Sequence, residues 1–215
     1  PKAPRPAIRK LNLRSTSSLT IMSIAGLISI VGWIPTATAD CPNPAAAGQT
    51  IICTGMDTDG LTSTYDDTTV NIVAGANVTS NGARVIYLTG ADNGAITLSG
   101  DAVVYGDTDV IVLDGNDGLI ELADQARVVA GMNDHALDVL GNRDKILMRG
   151  SSSIALAGTN GIGIYLSSDG SFIELTDNAF IQSSSTGAYG ISFSGDDAEV
   201  FLHGNARIDL SGANS

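Results

Sequence analysis

Short runs of alternating apolar and polar residues recur along the chain from residue 68 onward. Each copy opens with an apolar-x-apolar pair, and Gly or Asp typically follows two residues after the pair. The second apolar residue of the pair falls at Ile72, Leu98, Leu122, Met148, Leu175 and Leu202. A small residue stands four positions later, at Ala76, Ala102, Ala126, Ser152, Ala179 and Ala206. Val or Ile stands six positions later, at Val78, Val104, Val128, Ile154, Ile181 and Ile208. Alternation with a period of two predicts β-strands rather than helices.

A further apolar pair closes each copy. Its members are Ile86 and Leu88, Ile111 and Leu113, Leu137 and Val139, Ile164 and Leu166, and Ile191 and Phe193. The gap before this pair varies slightly from copy to copy, whereas the gap after it is nearly constant. The pattern predicts three short strands per copy, with two fixed corners and one adjustable loop.

Stacking such copies would bury their apolar columns, since one coil cannot bury its apolar face alone. We therefore predict an all-β fold, a right-handed parallel β-helix (β-solenoid) with about 26 residues per coil and three short strands per coil. A left-handed hexapeptide helix would require a period in multiples of six. A leucine-rich horseshoe would require a stretch with helical periodicity in each copy, and the sequence has none.

Residues 1–39 have the layout of a secretory signal peptide. A basic and polar stretch precedes an apolar run at residues 19–34, and the small residues Thr36-Ala37-Thr38-Ala39 follow Pro35. We predict cleavage between Ala39 and Asp40. A permanent membrane anchor is the alternative, but the apolar run is short for a span of about 20 residues. A lipoprotein signal is excluded because Asp40 precedes Cys41, where a small residue is needed.

Residues 40–67 are less regular, and we interpret them as an N-terminal cap that protects the open edge of the solenoid. They contain both cysteines of the chain, Cys41 and Cys53. In an exported protein an even pair at short spacing predicts a disulfide. Residues 68–215 form the β-helix repeats. The sixth copy stops after its second strand, so we expect the solenoid to continue in a longer protein.

The charge is distributed unevenly between the signal and the body. The net charge is −12 overall, but five of the 11 basic residues and none of the 23 acidic residues lie before residue 40. The remainder has 11 − 5 = 6 basic against 23 acidic residues, a net charge of −17. Such a body repels nucleic acid and anionic membrane surfaces.

Several polar groups are candidates for chemistry, but we predict no catalytic, cofactor-binding or metal-binding residue. The paired carboxylates that could cleave polysaccharide are Asp107 with Asp109, Asp114 with Asp117, and Asp196 with Asp197. They lie at turns, where Asp bonds its own backbone, and the only local basic cluster is Arg143, Lys145 and Arg149. We interpret His135 and His203 as surface or turn residues.

Two further features could bind a ligand. The Asp-rich turn at residues 114–118 offers oxygen ligands for Ca²⁺, but the glycine-rich nonapeptide of calcium β-rolls is absent. Tyr87 and Tyr165 occupy one outward column with Val112 and Asp138 between them, and exposed aromatic rings can stack on sugars. For both features we favour an ordinary surface.

The export signal, the cysteine pair in the sequence CPNPAAAGQTIICTG, and the Gly/Asn/Asp-rich coils resemble the N-terminal passenger region of a bacterial autotransporter (type V secretion). The C-terminal membrane barrel that defines this family is absent from these residues. The resemblance implies display at the surface of a Gram-negative cell, or release from it, as a non-enzymatic, adhesin-type or virulence-type stalk. Its partner would be a ligand on a host or neighbouring cell, with glycans among the candidates. The alternative is the N-terminal part of a β-helical polysaccharide-active enzyme, a lyase or a glycoside hydrolase.

Overall fold

The computed structural model describes residues 41–80, 84–132 and 134–213. The predicted signal peptide and its cleavage site at Ala39 and Asp40 lie outside these residues. In the described part of the chain, 20 short strands form three sheets, and every strand pairs in parallel with the strand one coil away. The predicted all-β parallel β-helix with three strands per coil is therefore confirmed.

The strands are assigned to the three sheets in strict rotation. The first sheet contains β1 (Thr50–Cys53), β4 (Thr69–Ile72), β7 (Ala95–Leu98), β10 (Leu119–Leu122), β13 (Lys145–Met148), β16 (Phe172–Leu175) and β19 (Glu199–Leu202). The second contains β2 (Met56–Asp57), β5 (Asn77–Ser80), β8 (Val103–Gly106), β11 (Arg127–Ala130), β14 (Ser153–Leu156), β17 (Phe180–Ser183) and β20 (Arg207–Leu210). The third contains β3 (Leu61–Ser63), β6 (Ile86–Thr89), β9 (Ile111–Asp114), β12 (His135–Val139), β15 (Ile162–Leu166) and β18 (Tyr189–Phe193).

The register places like residues on like residues, as the repeat predicts. In the first sheet Ile72 pairs with Leu98, Leu98 with Leu122, and Leu122 with Met148. Every member of this column from Ile72 to Leu175 is buried. Leu202 continues the column but is 44% exposed, because it lies on the last rung of the stack. Burying each such side chain contributes about 1.5–3 kcal/mol, so the columns provide most of the driving force for folding.

The solenoid begins within the segment that the sequence marks as irregular. Strands β1, β2 and β3 join all three sheets. The first coil runs from Thr50 to its strand partner Thr69, and the second runs from Thr69 to its partner Ala95. The first coil therefore contains fewer residues than those that follow. Cys41 and Cys53 are joined by a disulfide, with their Cα atoms 4.7 Å apart.

A buried aspartate connects the N-terminal segment to the first coil. Asp57 pairs with Val78 and so occupies a position that holds an apolar residue in the next coil. Its carboxylate accepts the backbone N–H groups of Cys41 at 2.6 Å, Gly60 at 2.9 Å and Asp59 at 3.1 Å. These bonds compensate for burial of the polar carboxyl group and attach the N-terminal segment to the first coil.

The corners of the solenoid contain recurring Asp, Asn and Gly residues. At one corner a side-chain oxygen in each coil accepts the backbone N–H of the equivalent residue in the next coil, at 2.8–3.1 Å. This ladder runs through Asp66, Asp92, Asn116, Asn142, Asp169 and Asp196. At another corner the Gly or Asp after each first-sheet strand adopts a positive φ, as at Gly100 (65°) and Asp124 (60°). These residue types tolerate the left-handed conformation.

Candidate functional site

The third sheet contains a cluster of ionisable side chains at the start of β12. His135 opens this strand, and Asp134 immediately precedes it. Because Leu137 pairs with Ile111, the register places His135 over Asp109 in the coil before it. We call Asp109, Asp134 and His135 the histidine cluster.

The distances within the histidine cluster are short. The Nδ1 atom of His135 lies 2.8 Å from Oδ1 of Asp109 and 3.4 Å from Oδ1 of Asp134. Oδ1 of Asp134 also accepts the backbone N–H of His135 at 3.1 Å. The other oxygen of Asp109 faces Nε of Arg84 at 3.7 Å. All three side chains of the cluster are partly exposed, so a small ligand can reach them.

Two tyrosine rings flank the cluster. The imidazole of His135 stacks on the ring of Tyr165 with the centroids 4.8 Å apart, and the guanidinium of Arg84 lies 4.4 Å above the ring of Tyr87. Tyr87, Val112, Asp138 and Tyr165 are successive partners across β6, β9, β12 and β15, as the sequence predicts. The stacking and the cation–π contact restrict the rotamers of His135 and Arg84.

Asp138 is a buried carboxylate beside the histidine cluster. Alternation places it on the outer face of β12, yet it is only 6% exposed, and its Oδ1 atom has no hydrogen-bond partner among the described residues. Burial raises its pKa to about 6, and the negative charge of Asp109 contributes in the same direction. The remaining charged groups that act on it are His135, Arg84 and Asp134, so its carboxyl lies within the field of the whole cluster.

The titration of the cluster residues reflects their mutual contacts. Burial acts to raise the pKa of Asp109, but hydrogen bonds with His135 and Asp134 outweigh it and hold the pKa well below its ordinary value. Burial and the neighbouring carboxylate of Asp109 raise the pKa of Asp134 to about 6. The hydrogen bond to Asp109 raises the pKa of His135 against the opposing effect of burial. The cluster therefore combines carboxyl groups of high and low proton affinity on one open face.

The members of the carboxylate pairs considered from the sequence have different partners. Asp107 accepts a hydrogen bond from the Tyr105 hydroxyl at 2.8 Å, whereas Asp109 contacts His135. Asp117 forms an ion pair with Arg143 at 2.6 Å, while Thr89 donates to Asp114 at 3.4 Å.

The other candidates also have local roles. Asp196 belongs to the corner ladder, and Asp197 adopts a positive φ of 57° beside it. Arg149 pairs with Glu121 rather than with the other basic residues of its sequence cluster. Nε2 of His203 lies 3.7 Å from a carboxylate oxygen of Glu174 on the first sheet.

Sequence reasoning missed the contact between Asp109 and His135. The spacing of the two residues could have indicated the contact, because they are 26 positions apart, which is the length of one coil. The strands β9 and β12 at these positions also pair in register. Taken by itself, His135 is interpreted as a surface or turn residue. It does lie at the surface, but its imidazole is also the centre of a polar cluster.

A separate groove of about 260 Å³ lies on the second sheet. Its outer wall includes Ala155, Gln182, Ser184 and Asp209. Asp209 is paired with Arg207. The groove thus offers mainly amide and hydroxyl groups, and it does not include the histidine cluster.

The fold and this cluster define a parallel β-solenoid with a His-carboxylate cluster on a side face. No protein-family model matches the chain, and neither a curated protein nor a solved structure shows significant similarity to it. Within the described ranges, no helix is long and apolar enough to cross a membrane.

Proposed function

We propose that the chain is part of an exported, non-enzymatic passenger rod of the autotransporter type, which functions at or beyond the surface of a Gram-negative cell. The observation that carries this proposal is the regularity of the solenoid. Successive strands from Thr50 to Leu210 are joined only by short connections. The long loops that commonly enclose a substrate are thus missing from this part of the chain, and flat side faces suited to lateral contacts remain.

The layout of residues 1–39 supports export, and the acidic surface supports a role away from nucleic acid. The partner we propose is a ligand on a host or neighbouring cell. A glycan is the best candidate, because Tyr87 and Tyr165 flank polar groups on one face of the third sheet.

Surface display can be tested with the complete gene expressed in a Gram-negative host. An epitope tag inserted in the turn at residues 184–187 should be labelled by antibody on intact cells and removed by added protease. A tag placed in a periplasmic protein serves as the control. Labelling that requires cell lysis would contradict display.

Glycan binding can be tested with the Tyr87→Ala and Tyr165→Ala variants on a glycan array. Both should lose the signal, whereas Tyr105→Ala should retain it, because Tyr105 is an exposed tyrosine on the second sheet. Equal binding by all three variants would refute a role for the third-sheet face.

One observation favours the second candidate, a polysaccharide-active enzyme. Asp134 and Asp138 both have a pKa of about 6 and lie near Asp109, whose pKa is lowered. A carboxylic acid beside a carboxylate is the arrangement that general acid–base cleavage uses. Release of reducing ends or unsaturated sugars by the purified full chain, abolished by Asp134→Asn in a folded protein, would replace the first proposal with this one.

A further inference from the structure

We propose that the histidine cluster is a binding site for one divalent transition ion of the Zn²⁺ type, bound by Nδ1 of His135 and by the carboxylates of Asp109 and Asp134. This proposal concerns a site on the third sheet and does not depend on the function proposed above.

The ligand atoms are already close enough to share an ion. One atom from each of the three residues can be chosen so that all lie within 4.8 Å of one another. The nitrogen of His135 lies 2.8 Å from Asp109 and 3.4 Å from Asp134. Ligands with bonds of about 2.0–2.1 Å to one ion lie roughly 3.0–3.4 Å apart. Binding therefore requires only small rotations of side chains, with loss of the proton between His135 and Asp109.

The donor types select the class of ion. One imidazole with two carboxylates suits Zn²⁺ and its transition-metal neighbours. Ca²⁺ prefers six to eight oxygen ligands, and the imidazole would not serve it. Water can complete the coordination, because His135 is 24% exposed and Asp109 is partly exposed as well.

An independent observation is the Oδ1 atom of Asp138, which is buried without a hydrogen-bond partner in the described part of the chain. This side chain is only 6% exposed. Asp138 pairs across the sheet with Tyr165, whose ring stacks on the imidazole of His135, so its carboxyl group lies beside the histidine cluster. A buried carboxylate oxygen without a hydrogen-bond partner is unfavourable, and a cation in the histidine cluster would compensate for it.

The charge of the site also favours a cation. Asp109, Asp134 and Asp138 supply three carboxylates, and Arg84 supplies one permanent positive charge at 3.7 Å from the outer oxygen of Asp109. With His135 neutral and the three carboxylates ionised, the net charge is −3 + 1 = −2, and one divalent ion neutralises it. Arg84 faces Oδ2 of Asp109, so Oδ1 can bind an ion in place of the histidine proton.

The backbone holds the site in place. The pairing of β9 with β12 sets the position of His135 relative to Asp109, and the stacked ring of Tyr165 orients the imidazole. His135 opens β12, whereas Asp109 and Asp134 lie just before β9 and β12. The N–H of Val110 donates to the carbonyl oxygen of His135 at 3.0 Å and so links the two coils at the site.

Isothermal titration calorimetry tests the proposal. ZnCl₂ is titrated into the untagged full chain in a buffer from which other metals have been removed. We expect saturable binding of one Zn²⁺ per chain, weaker binding of Ca²⁺, and a higher melting temperature with Zn²⁺. His135→Ala and Asp109→Asn should each weaken binding at least roughly tenfold. Asp138→Asn should weaken it less, because Asp138 acts through its charge.

His203→Ala is the matched control, since His203 is the second histidine of the chain and faces Glu174 on a different sheet. It should bind Zn²⁺ like the unchanged chain. Circular dichroism of each variant without metal shows whether it folds, and His135→Gln replaces His135→Ala if the latter does not. Absence of saturable binding, unchanged affinity in a folded His135 variant, equal loss in His203→Ala, or preference for Ca²⁺ would each overturn the proposal.

Discussion

Asp144 lies in a corner of the solenoid where the neighbouring coils place only small residues. It precedes β13, and backbone hydrogen bonds stack it in a column with Thr68, Gly94, Gly118 and Ser171. Its Oδ1 atom accepts the N–H of Gly118 at 2.7 Å, while its buried Oδ2 atom has no hydrogen-bond partner in the described ranges. A Cβ atom at Gly118 would lie 3.1 Å from Oδ1, so the glycine provides the space that the carboxyl occupies.

Burial raises the pKa of Asp144 to about 6. The N–H of Gly118 and the positive charge of Arg143 act in the opposite direction, and the carboxylates of Asp117 and Asp92 raise the pKa further. The folded state therefore binds this proton more tightly than the unfolded chain, whose ordinary value is 3.8. The contribution of Asp144 to stability is greatest below pH 3.8 and decreases as the pH rises through about 6. A shift of about two units corresponds to roughly 3 kcal/mol of lost stability at pH 7.

The substitution Asp144→Asn should remove this loss. The amide retains an oxygen acceptor for the N–H of Gly118, and it cannot ionise. We expect the variant to be more stable by about 1–3 kcal/mol at pH 7.5 and to show little change at pH 4. Urea denaturation of both proteins at half-unit steps from pH 4 to pH 8 measures the difference, and subtraction cancels the titration of Asp134 and Asp138.

Asp117→Asn is the matched control, because Asp117 is exposed and pairs with Arg143 at the same corner. It should not be stabilised at neutral pH, since its carboxylate is favoured in the folded state. A difference between Asp144→Asn and the unchanged chain that does not vary with pH would refute the reasoning. So would a variant that is less stable than the unchanged chain at pH 7.5.

Three further perturbations test the stack itself. Ile154→Asp places a charge in a fully buried column and should lower the free energy of unfolding, measured with urea, by about 4 kcal/mol or more. Ile52→Asp, at an exposed position, should lower it by under about 1 kcal/mol. Equal losses would mean that Ile154 does not belong to the inward column. Replacing Cys41 and Cys53 together with Ser should lower stability by about 3 kcal/mol, measured against the oxidised chain, and no loss would exclude a stabilising disulfide. Gly115→Ala should lower the melting temperature, because its Cβ would overlap the backbone of the preceding coil, and an unchanged melting temperature would contradict that close approach.

The repeat was predictable because its period recurs often enough along the chain to be seen. Six copies share three offsets, and the structure buries the apolar members of these columns except near the last rung. The first coil could not be found in this way. It is shorter than the coils that follow, and Asp57 stands where the next coil has Val78, so neither its length nor its residue types match the other copies.

The histidine cluster could not be predicted from the repeat for a related reason. The adjustable loop lies just before the strand that contains His135, so comparison of the copies does not align the residues at this corner. The sequence interpretation placed the carboxylates at turns, where Asp bonds its own backbone. In the structure the side chains of Asp66 and Asp92 instead accept backbone N–H groups of the next coil. Treating every Asp as a turn residue gave no reason to separate Asp109 from the rest.

The sequence by itself determined the strand period, the inward columns and the number of strands per coil, because these depend on local alternation repeated along the chain. Tertiary structure decided which polar groups meet across coils and which outward residues are covered. Asp138 is outward by alternation but buried in the structure, where it lies between Val112 and Tyr165 of the neighbouring coils. Its environment, like that of His135, depends on residues a full coil away in the sequence, whose side-chain orientations only the folded stack defines.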